Sequence, residues 1–243
     1  MPAVSGESRA IVVIPALNEA EAIGKVIGDI PADRVHTVVV VDNGSDDGTD
    51  RVAQAAGAVV VREARRGYGH ACLAGIEKAR ELGADIVVFL DGDYSDYPDQ
   101  MDRLLDPIEA GEVDFVVGSR MRGERSRRAL LPQARFGNWL AGTLMRLGWG
   151  ANFTDLGPFR AIRLDQLDRL GMQDRTYGWT VEMQLKAIEA GVPHAEVPVD
   201  YRERIGTSKV TGTIRGTVGA SVKILGLLTQ YRLTRGRRQY PAH

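Results

Sequence analysis

Short apolar runs alternate with segments of helical spacing throughout the first half of the chain. Strands are predicted at 10–14, 37–41, 58–61, 86–90 and 113–117, and helices at 19–30, 46–56, 68–82 and 98–110. Strands separated by single helices join through right-handed crossovers and lie parallel in one sheet. The alternation therefore predicts an α/β fold in which helices cover both faces of a mostly parallel central sheet.

The run at 86–90 is the most apolar of these strands. It reads Ile-Val-Val-Phe-Leu, without a polar group, as expected of a strand buried on both faces. Asp91 and Asp93 follow it, at the end of the strand where open α/β sheets bind ligands. Carboxylate oxygens suit Mg²⁺ or Mn²⁺, which often bridge a protein to nucleotide phosphates. A surface turn is the alternative interpretation, because Asp, Gly and Ser are common turn residues.

All five predicted strands lead into polar or glycine residues. These clusters occupy 15–19, 42–45, 65–69, 91–93 and 118–120. The ends of parallel strands lie along one edge of a sheet, where glycines admit a ligand and helix N-termini favour phosphate. No G-x-G-x-x-G follows the first strand, which disfavours a nicotinamide or flavin Rossmann domain, and the absence of G-x-x-x-x-G-K-[ST] excludes a P-loop enzyme.

The composition is ordinary for a soluble globular protein. The 243 residues are 44% hydrophobic and 26% charged, enough for one large domain or two small ones. A single cysteine, Cys72, excludes an intramolecular disulfide and a cysteine zinc cluster. The first residues lack the apolar core of a signal peptide, and no apolar run approaches the roughly 20 residues of a membrane span. These observations predict a cytoplasmic protein.

The net charge of −1 hides two basic segments. Residues 120–135 contain six arginines and one acid, and residues 232–238 contain four arginines and no acid. Such concentrated positive charge indicates an anionic partner, either a phosphate, a membrane surface or a nucleic acid; a solvated loop and a basic tail are the alternative. Few aromatic residues lie among the arginines, so a nucleic acid is not expected.

Four motifs of the first half resemble those of the family 2 glycosyltransferases of GT-A fold. They are Pro-Ala-Leu-Asn-Glu at 15–19, Val-Asp-Asn-Gly-Ser-Asp-Asp-Gly-Thr at 41–49, Asp-Gly-Asp-Tyr-Ser at 91–95 and Gly-Ser-Arg at 118–120. In the second half, 155–160, 177–183, 196–199 and 204–209 are most similar to the branch that transfers mannose or glucose to dolichyl or polyprenyl phosphate. The resemblance implies a GT-A catalytic domain at 1–210, with a nucleotide-binding half at 10–120 and an acceptor-binding half at 121–210, followed by an amphipathic helix and basic tail at 211–243.

The resemblance also implies a site for a nucleotide-diphosphate sugar of the GDP-mannose or UDP-glucose type. Asp91, Asp93 and Ser95 would hold Mg²⁺ or Mn²⁺, which neutralises the diphosphate. Arg204 and Lys209 would contact the diphosphate, unless they are surface charges. The implied nucleotide-sugar-binding residues are Pro15, Ala16, Leu17, Asn18, Glu19, Asp42, Asn43, Gly67, Gly69, Asp91, Gly92, Asp93, Arg204 and Lys209. Asn43 departs from the family pattern, in which a second acid is common.

The implied reaction is hexose transfer with inversion at the anomeric carbon. An acceptor phosphate would need cations rather than a base, and Ser119, Arg120 and Arg135 are its implied contacts. A soluble hydroxyl acceptor would need a carboxylate base, for which Glu182 is the first choice, although Glu182 would equally fit a helix that faces the core. The implied catalytic residues are therefore Asp93, Arg120, Arg135 and Glu182. A nucleotide-sugar-binding protein without turnover is the alternative from another class.

The last part of the chain predicts a helix at 214–231. Its apolar residues fall on one helical face, which Lys223 interrupts: Ile214, Val218, Val222, Leu225, Leu228 and Tyr231. A helix with basic anchors can lie in a membrane interface, which would make the protein peripheral on the cytoplasmic face of the membrane. Packing against the domain, or against a second subunit in a homodimer, is the alternative.

Overall fold

The structure, a computed structural model, describes residues 8–124, 129, 132–206, 214–236 and 238–241. The described residues form one sheet of seven strands in the order β3-β2-β1-β4-β6-β5-β7. The strands are β1 (Ala10–Ala16), β2 (Thr37–Asp42), β3 (Val59–Arg62), β4 (Ile86–Phe89), β5 (Phe115–Ser119), β6 (Arg160–Arg163) and β7 (His194–Pro198). The α/β class and all five strands predicted in the first half are confirmed.

The helices of the first half follow the predicted order but are shorter, whereas α8 extends beyond the predicted 214–231. They are α1 (Ile23–Gly28), α2 (Thr49–Ala55), α3 (Tyr68–Glu81), α4 (Asp102–Glu109), α5 (Pro132–Trp149), α6 (Leu164–Leu170), α7 (Trp179–Glu189) and α8 (Ile214–Leu233). The segment predicted as one helix at 98–110 divides into a 3₁₀ turn, Pro98–Gln100, and α4. The segment predicted as a helix from residue 19 begins with a turn in which the Glu19 carbonyl accepts the N–H groups of Ala22 and Ile23.

Strand β6 is the antiparallel member of the sheet. It lies between β4 and β5, and its first residue, Arg160, pairs with Phe89 of β4 and Val117 of β5. The other neighbouring strands run parallel. Because β6 runs the opposite way, its start lies beside the carboxyl ends of its neighbours. The loop at 155–159, which precedes β6, is thereby brought to the edge where the acid pair lies.

Alternate strand residues pack against helices on opposite faces of the sheet. Ile11, Val13, Val87 and Phe89 join the core on the side of α3, α5, α7 and α8. Their neighbours along the strands join a second core on the side of α1, α2 and α4; these are Val12, Ile14, Ile86 and Val88. Both faces of the strands are therefore buried, as their continuous apolar sequence requires. In the part of the chain that the structure describes, no helix has the length and hydropathy needed to cross a membrane.

Candidate active site

The ends of β1, β2 and β4 place three of the sequence motifs at one edge of the sheet. Ala16 lies opposite Asp42 in the β1–β2 pair, and Val13 lies opposite Phe89 in the β1–β4 pair. The loops are also joined directly: the backbone N–H of Asp46 donates to Oδ1 of Asn18 at 3.0 Å. Separate stretches of the chain therefore form one continuous polar surface.

Asp91 and Asp93 form the centre of this surface. The hydroxyl of Tyr68 lies 3.3 Å from Oδ1 of Asp91. Oδ1 of Asp93 accepts hydrogen bonds from the backbone N–H of Ser95 at 2.9 Å and from its hydroxyl at 2.5 Å. Oδ2 of Asp93 forms an ion pair with Arg204. The structure thus brings together the three implied metal ligands and one of the two implied diphosphate contacts.

The electrostatics of the pair favour a bound cation. Burial, followed by the charge of Asp93, raises the pKa of Asp91 to about 7, while Arg204 and Arg120 act in the opposite direction. Two neighbouring buried carboxylates resist ionising together, and a cation between them removes that cost. Their oxygens, with the Ser95 hydroxyl, are the hard ligands that Mg²⁺ and Mn²⁺ prefer. The residues present therefore fit such an ion.

The protein alone does not complete a metal coordination sphere at this place. Within the described ranges, no group of three or more His, Cys, Asp or Glu side chains is arranged to hold a metal ion. Mg²⁺ commonly binds through one or two carboxylates, with water and substrate phosphates as the remaining ligands. The acid pair therefore suits an ion that arrives with a phosphate ligand better than one fixed in a closed protein site.

Asp96 is a buried acid that the sequence interpretation missed as a site residue. The 3₁₀ turn that follows it, Pro98–Gln100, has no side-chain cap, so Asp96 is not used there. Both carboxylate oxygens are buried and lack a hydrogen-bond partner among the described residues. Burial, followed by the charge of Asp91, raises the pKa of Asp96 well above its usual range. Asp96 thus adds a third acid to the acid pair's surroundings.

Arg120 defines the side of the site next to β5. Its backbone N–H and Nε donate to Oδ2 of Asp155, each at 2.8 Å, and its Nη2 lies 2.6 Å from Oδ1. The guanidinium also lies over the ring of Tyr201, 4.9 Å from the ring centroid. This bidentate contact orients Arg120 at the strand end. Ser119, its neighbour, is fully buried, with its hydroxyl 2.7 Å from that of Thr154.

Asp155 is itself held by several side chains. Asn138 of α5 donates to its Oδ1 at 2.7 Å, and Gln184 of α7 donates to its backbone carbonyl at 3.0 Å. The buried guanidinium of Arg160 donates to the carbonyls of Gly157 and Thr180, which fixes the loop to α7. The sequence motif at 155–160 indicated that this loop matters, but nothing in the sequence indicated that Asp155 pairs with Arg120.

The turn after β2 forms another part of this polar surface. Asp42 is buried, and its Oδ1 accepts the backbone N–H of Ser45 at 3.0 Å. The amide of Asn43 donates to the carbonyls of Glu63 and Arg65 at 2.9 and 2.8 Å, and accepts the N–H of Gly67 at 2.8 Å. A carboxylate cannot donate these two hydrogen bonds. The departure from an acid at position 43 therefore serves the packing of the loop before α3.

Gly67 and Gly69 are required by the protein's own backbone. A Cβ at Gly67 would lie 2.3 Å from the carbonyl oxygen of Arg175, and one at Gly69 would lie 2.1 Å from that of Asp174. Gly67 also has φ +139°, a backbone conformation that other residues rarely adopt. The sequence interpretation expected these glycines to admit a ligand, but the group that approaches them is the loop at 174–175.

Three predicted site residues are not brought to the acid pair by the described contacts. Glu182 lies on α7, is 3% exposed, accepts the backbone N–H groups of Gln173 and Asp174, and lies 2.9 Å from Nζ of Lys186. Its carboxylate is thus occupied in the core, as the alternative interpretation expected. Arg135 is exposed on the first turn of α5. Lys209 lies outside the described residues.

The sequence of this site matches a known family model. Residues 11–171 match the model described as glycosyl transferase family 2. The chain belongs to this family. The match covers the strand ends that carry the polar motifs, together with Arg120 and the loop at 155–159.

Named relatives of the family 2 glycosyltransferase extend the match over most of the chain. An undecaprenyl-phosphate mannosyltransferase from Micrococcus luteus is 32% identical over 242 residues, which cover 94% of this chain and 98% of that protein. A polyprenol monophosphomannose synthase from Mycolicibacterium smegmatis is 31% identical, covering 84% of this chain and 82% of that protein. The chain is thus a glycosyltransferase, of the hexosyltransferase type.

Solved structures share the GT-A fold at lower identity. The mannosyl-3-phosphoglycerate synthase from Rubrobacter xylanophilus has a TM-score of 0.74 and 23% identity, covering 97% of this chain and 77% of that chain. The glucosyl-3-phosphoglycerate synthase from Mycobacterium tuberculosis, in complex with Mn²⁺, UDP-glucose and glycerol 3-phosphate, has a TM-score of 0.68 and 23% identity, covering 93% and 81%. At this identity the likeness establishes the fold alone.

Proposed function

We propose that this glycosyltransferase moves a hexose from a nucleotide-diphosphate sugar to a polyprenyl phosphate, with inversion at the anomeric carbon. The observation that carries the proposal is the closeness of two arginines to the acid pair: Arg204 pairs with Asp93, and the charges of Arg204 and Arg120 both lower the pKa of Asp91. The relatives that match over most of the chain are named for transfer to polyprenyl or undecaprenyl phosphate. Residues 10–120 would form the nucleotide-binding half and residues 121–210 the acceptor-binding half, with Arg120 at the boundary and Arg204 and Lys209 as diphosphate contacts from the second half.

The donor would lie along the ends of β1, β2 and β4. The loop at 15–19 and Asp42 would contact the base and ribose, whereas Asn43 and the two glycines would act by holding that surface in shape. Asp91, Asp93 and Ser95 would hold Mg²⁺ or Mn²⁺, which supplies electrostatic stabilisation of the departing nucleoside diphosphate. Arg204 and Lys209 would contact the diphosphate and stabilise the same developing charge.

The acceptor would approach from the side of Arg120. A phosphate oxygen is already anionic near neutral pH, so it can attack without a general base once it is aligned with the anomeric carbon. Arg120, oriented by Asp155, and Arg135 would provide that alignment. The buried contacts of Glu182 favour this acceptor over a hydroxyl, because the carboxylate proposed as base for a hydroxyl is occupied in the core.

Helices α5 and α8 carry exposed apolar residues at the same spacing. Phe136, Trp139 and Leu147 are exposed on α5, and Val222, Leu225 and Leu233 are exposed on α8. Within each helix the second of these residues lies three positions after the first, and the third lies eleven positions after the first. Eleven residues make about three helical turns, so each set forms one apolar strip.

The charge around these strips suits an anionic bilayer surface. Neither helix contains an acidic residue, and Arg135, Arg146 and Arg232 are exposed on them. The two helices pack together. Just after α8, Nη1 of Arg235 donates to the carbonyl of Gly148 at 2.7 Å. Apolar strips with basic neighbours bind membrane interfaces that contain anionic lipid. We propose that this surface holds the enzyme at the cytoplasmic face of the membrane that contains its acceptor.

The reaction is tested with radiolabelled GDP-mannose and UDP-glucose, each with Mg²⁺ or Mn²⁺. Undecaprenyl phosphate and 3-phosphoglycerate serve as competing acceptors, and the label is followed into organic and aqueous phases. Transfer to the organic phase that is lost in Asp93→Asn supports the proposal. Label that enters only the phosphoglycerate product would show that the acceptor is soluble. Donor binding without any labelled product would support a nucleotide-sugar-binding protein without turnover.

The membrane surface is tested by vesicle flotation. The wild-type protein is expected to float with phosphatidylcholine vesicles that contain phosphatidylglycerol, and Leu147→Glu and Leu233→Glu are expected to reduce the floating fraction. Gln230→Glu is the matched control, because it adds the same charge to exposed α8 without removing an apolar group. A protein that ignores vesicles but forms a dimer sensitive to the two leucine variants would show that the strips are a subunit interface.

A further inference from the structure

We propose that Arg204 is the counter-ion of Asp93 in the metal-free enzyme, and that its side chain exchanges from Asp93 to the donor diphosphate when the divalent cation binds. This inference rests on the proposed donor site. It adds a role for Arg204 before the donor arrives. The exchange would make the binding of the cation and of the nucleotide depend on each other.

The contacts of Asp93 show why Arg204 opposes a bound cation. Oδ1 accepts the backbone N–H and the hydroxyl of Ser95, and Oδ2 pairs with the guanidinium of Arg204. These contacts fill three of the roughly four acceptor positions of a carboxylate. The Asp93 side chain is only 6% exposed, so a cation that takes it as a ligand would lie close to these same partners. Arg204 is the partner that carries positive charge and would repel the cation.

The backbone near Arg204 is held in place from both sides. The N–H of Ile205 donates to the carbonyl of Asp93 at 2.9 Å, and the N–H of Arg202 donates to the carbonyl of Ser95 at 2.9 Å. The guanidinium of Arg202 also stacks on the ring of Tyr94, 3.4 Å from its centroid. These contacts fix the segment at 202–205 alongside the acid pair. The exchange is therefore a side-chain rotation about a fixed backbone.

The charges make the rotation favourable only when the diphosphate is present. Without a nucleotide, Arg204 pairs with Asp93 and offsets part of the charge of Asp91. A divalent cation neutralises both carboxylates, which leaves Arg204 near the cation without an anionic partner. A diphosphate supplies that partner. Arg204 therefore opposes cation binding to the free enzyme and favours it in the nucleotide complex, which is a positive coupling between the two ligands.

Mn²⁺ binding measures this coupling without turnover. Free Mn²⁺ is followed by electron paramagnetic resonance in the absence of nucleotide and then with GDP or UDP. Without nucleotide, Arg204→Gln and Arg204→Ala are each expected to bind Mn²⁺ about tenfold more tightly than the wild type, because they remove a unit charge beside a divalent ion. Arg204→Lys retains the charge and is expected to remain near the wild type.

The nucleotide arm and a control complete the experiment. The strengthening of Mn²⁺ binding by GDP or UDP is expected to be about tenfold smaller in the neutral variants than in the wild type, since by linkage both ligands lose the same coupling. Arg62→Gln is the matched control, because it removes an arginine whose ion pair with Asp50 lies on the outer surface. Circular dichroism checks that each variant is folded.

The outcomes separate this inference from the proposed function. Neutral variants that bind Mn²⁺ no more tightly than the wild type without nucleotide would overturn the role of Arg204 as a competing counter-ion. A folded wild-type protein that binds no Mn²⁺, with or without GDP and UDP, would instead remove the proposed metal site itself. Tighter binding in both neutral variants, combined with reduced coupling, supports the exchange.

Discussion

Replacing Asp155 with asparagine tests how the acceptor side of the site is built. Asp155 is 1% exposed and accepts three hydrogen bonds from Arg120 and one from Asn138. Asp155→Asn removes the charge that compensates a guanidinium whose side chain is 12% exposed. Breaking a buried ion pair on one side costs about 3–5 kcal/mol, because the other charge remains uncompensated. The amide that replaces the carboxylate would also point its N–H group at the guanidinium of Arg120, which has hydrogen-bond donors but no acceptor.

The consequence is measured on stability and on acceptor use. For a chain of this length, a loss of that size lowers the melting temperature by roughly 6–20 °C. The KM for undecaprenyl phosphate is expected to rise. Donor binding, which we propose to use the ends of other strands, is expected to be retained. Asp50→Asn, in the exposed pair with Arg62, is the control and is expected to melt like the wild type.

The result that refutes this reasoning is specific. A folded Asp155→Asn protein that loses less than about 1 kcal/mol would show that the pair contributes no more than an exposed salt bridge. An unchanged KM for the lipid acceptor, together with a large loss of stability, would show that Asp155 supports the fold but does not position Arg120 for the acceptor.

Three further predictions concern the donor side. Burial raises the pKa of Asp91 to about 7, above its value in the unfolded chain. The stabilisation that the bound proton gives to the folded protein is therefore lost as the pH rises through 7. Asp91→Asn does not titrate, so in metal-free protein its melting temperature relative to that of the wild type is expected to increase with pH. Asn43→Asp loses two donated hydrogen bonds to backbone carbonyls, one of them buried, and is expected to lower the free energy of unfolding in urea by roughly 2 kcal/mol. Gly69→Ala places a Cβ 2.1 Å from the carbonyl oxygen of Asp174, and it is expected to destabilise by about 1–3 kcal/mol or to displace the loop at 174–175, which urea unfolding and proteolysis of that loop would reveal.

The parallel part of the sheet could be predicted because its signals are local. The runs at 37–41 and 86–90 are continuous and β-branched, and each leads into a polar turn. Strand β6 was not predicted, because its sequence lacks such a local signal. It is four residues long with arginine at both ends, and its first arginine is fully buried against backbone carbonyls. A short, charged sequence carries no periodic signal for a central strand.

The candidate site could be proposed from the sequence only where its signals are local. The carboxylates at 91–95 follow a buried strand and indicate cation chemistry, with a surface turn as the alternative. Partners from distant parts of the chain carry no such signal. Nothing near position 120 indicates that Asp155 will pair with it, and nothing near Gly69 indicates that residue 174 will lie against it. Pairs of this kind depend on the order of strands, which β6 alters.

The insertion of β6 also determines the charge of the site. By starting beside the ends of β4 and β5, it adds Asp155 to an edge that already holds Asp91, Asp93 and Asp96. Four acids then lie near Arg120 and Arg204. Burial is the main cause of the raised pKa values of Asp91 and Asp96, and the charges of neighbouring acids raise both further. The two arginines of this edge are themselves paired, Arg120 with Asp155 and Arg204 with Asp93. In our proposal a divalent cation would offset the acids and the diphosphate would become the partner of Arg204, so the cation and the donor would enter the site together.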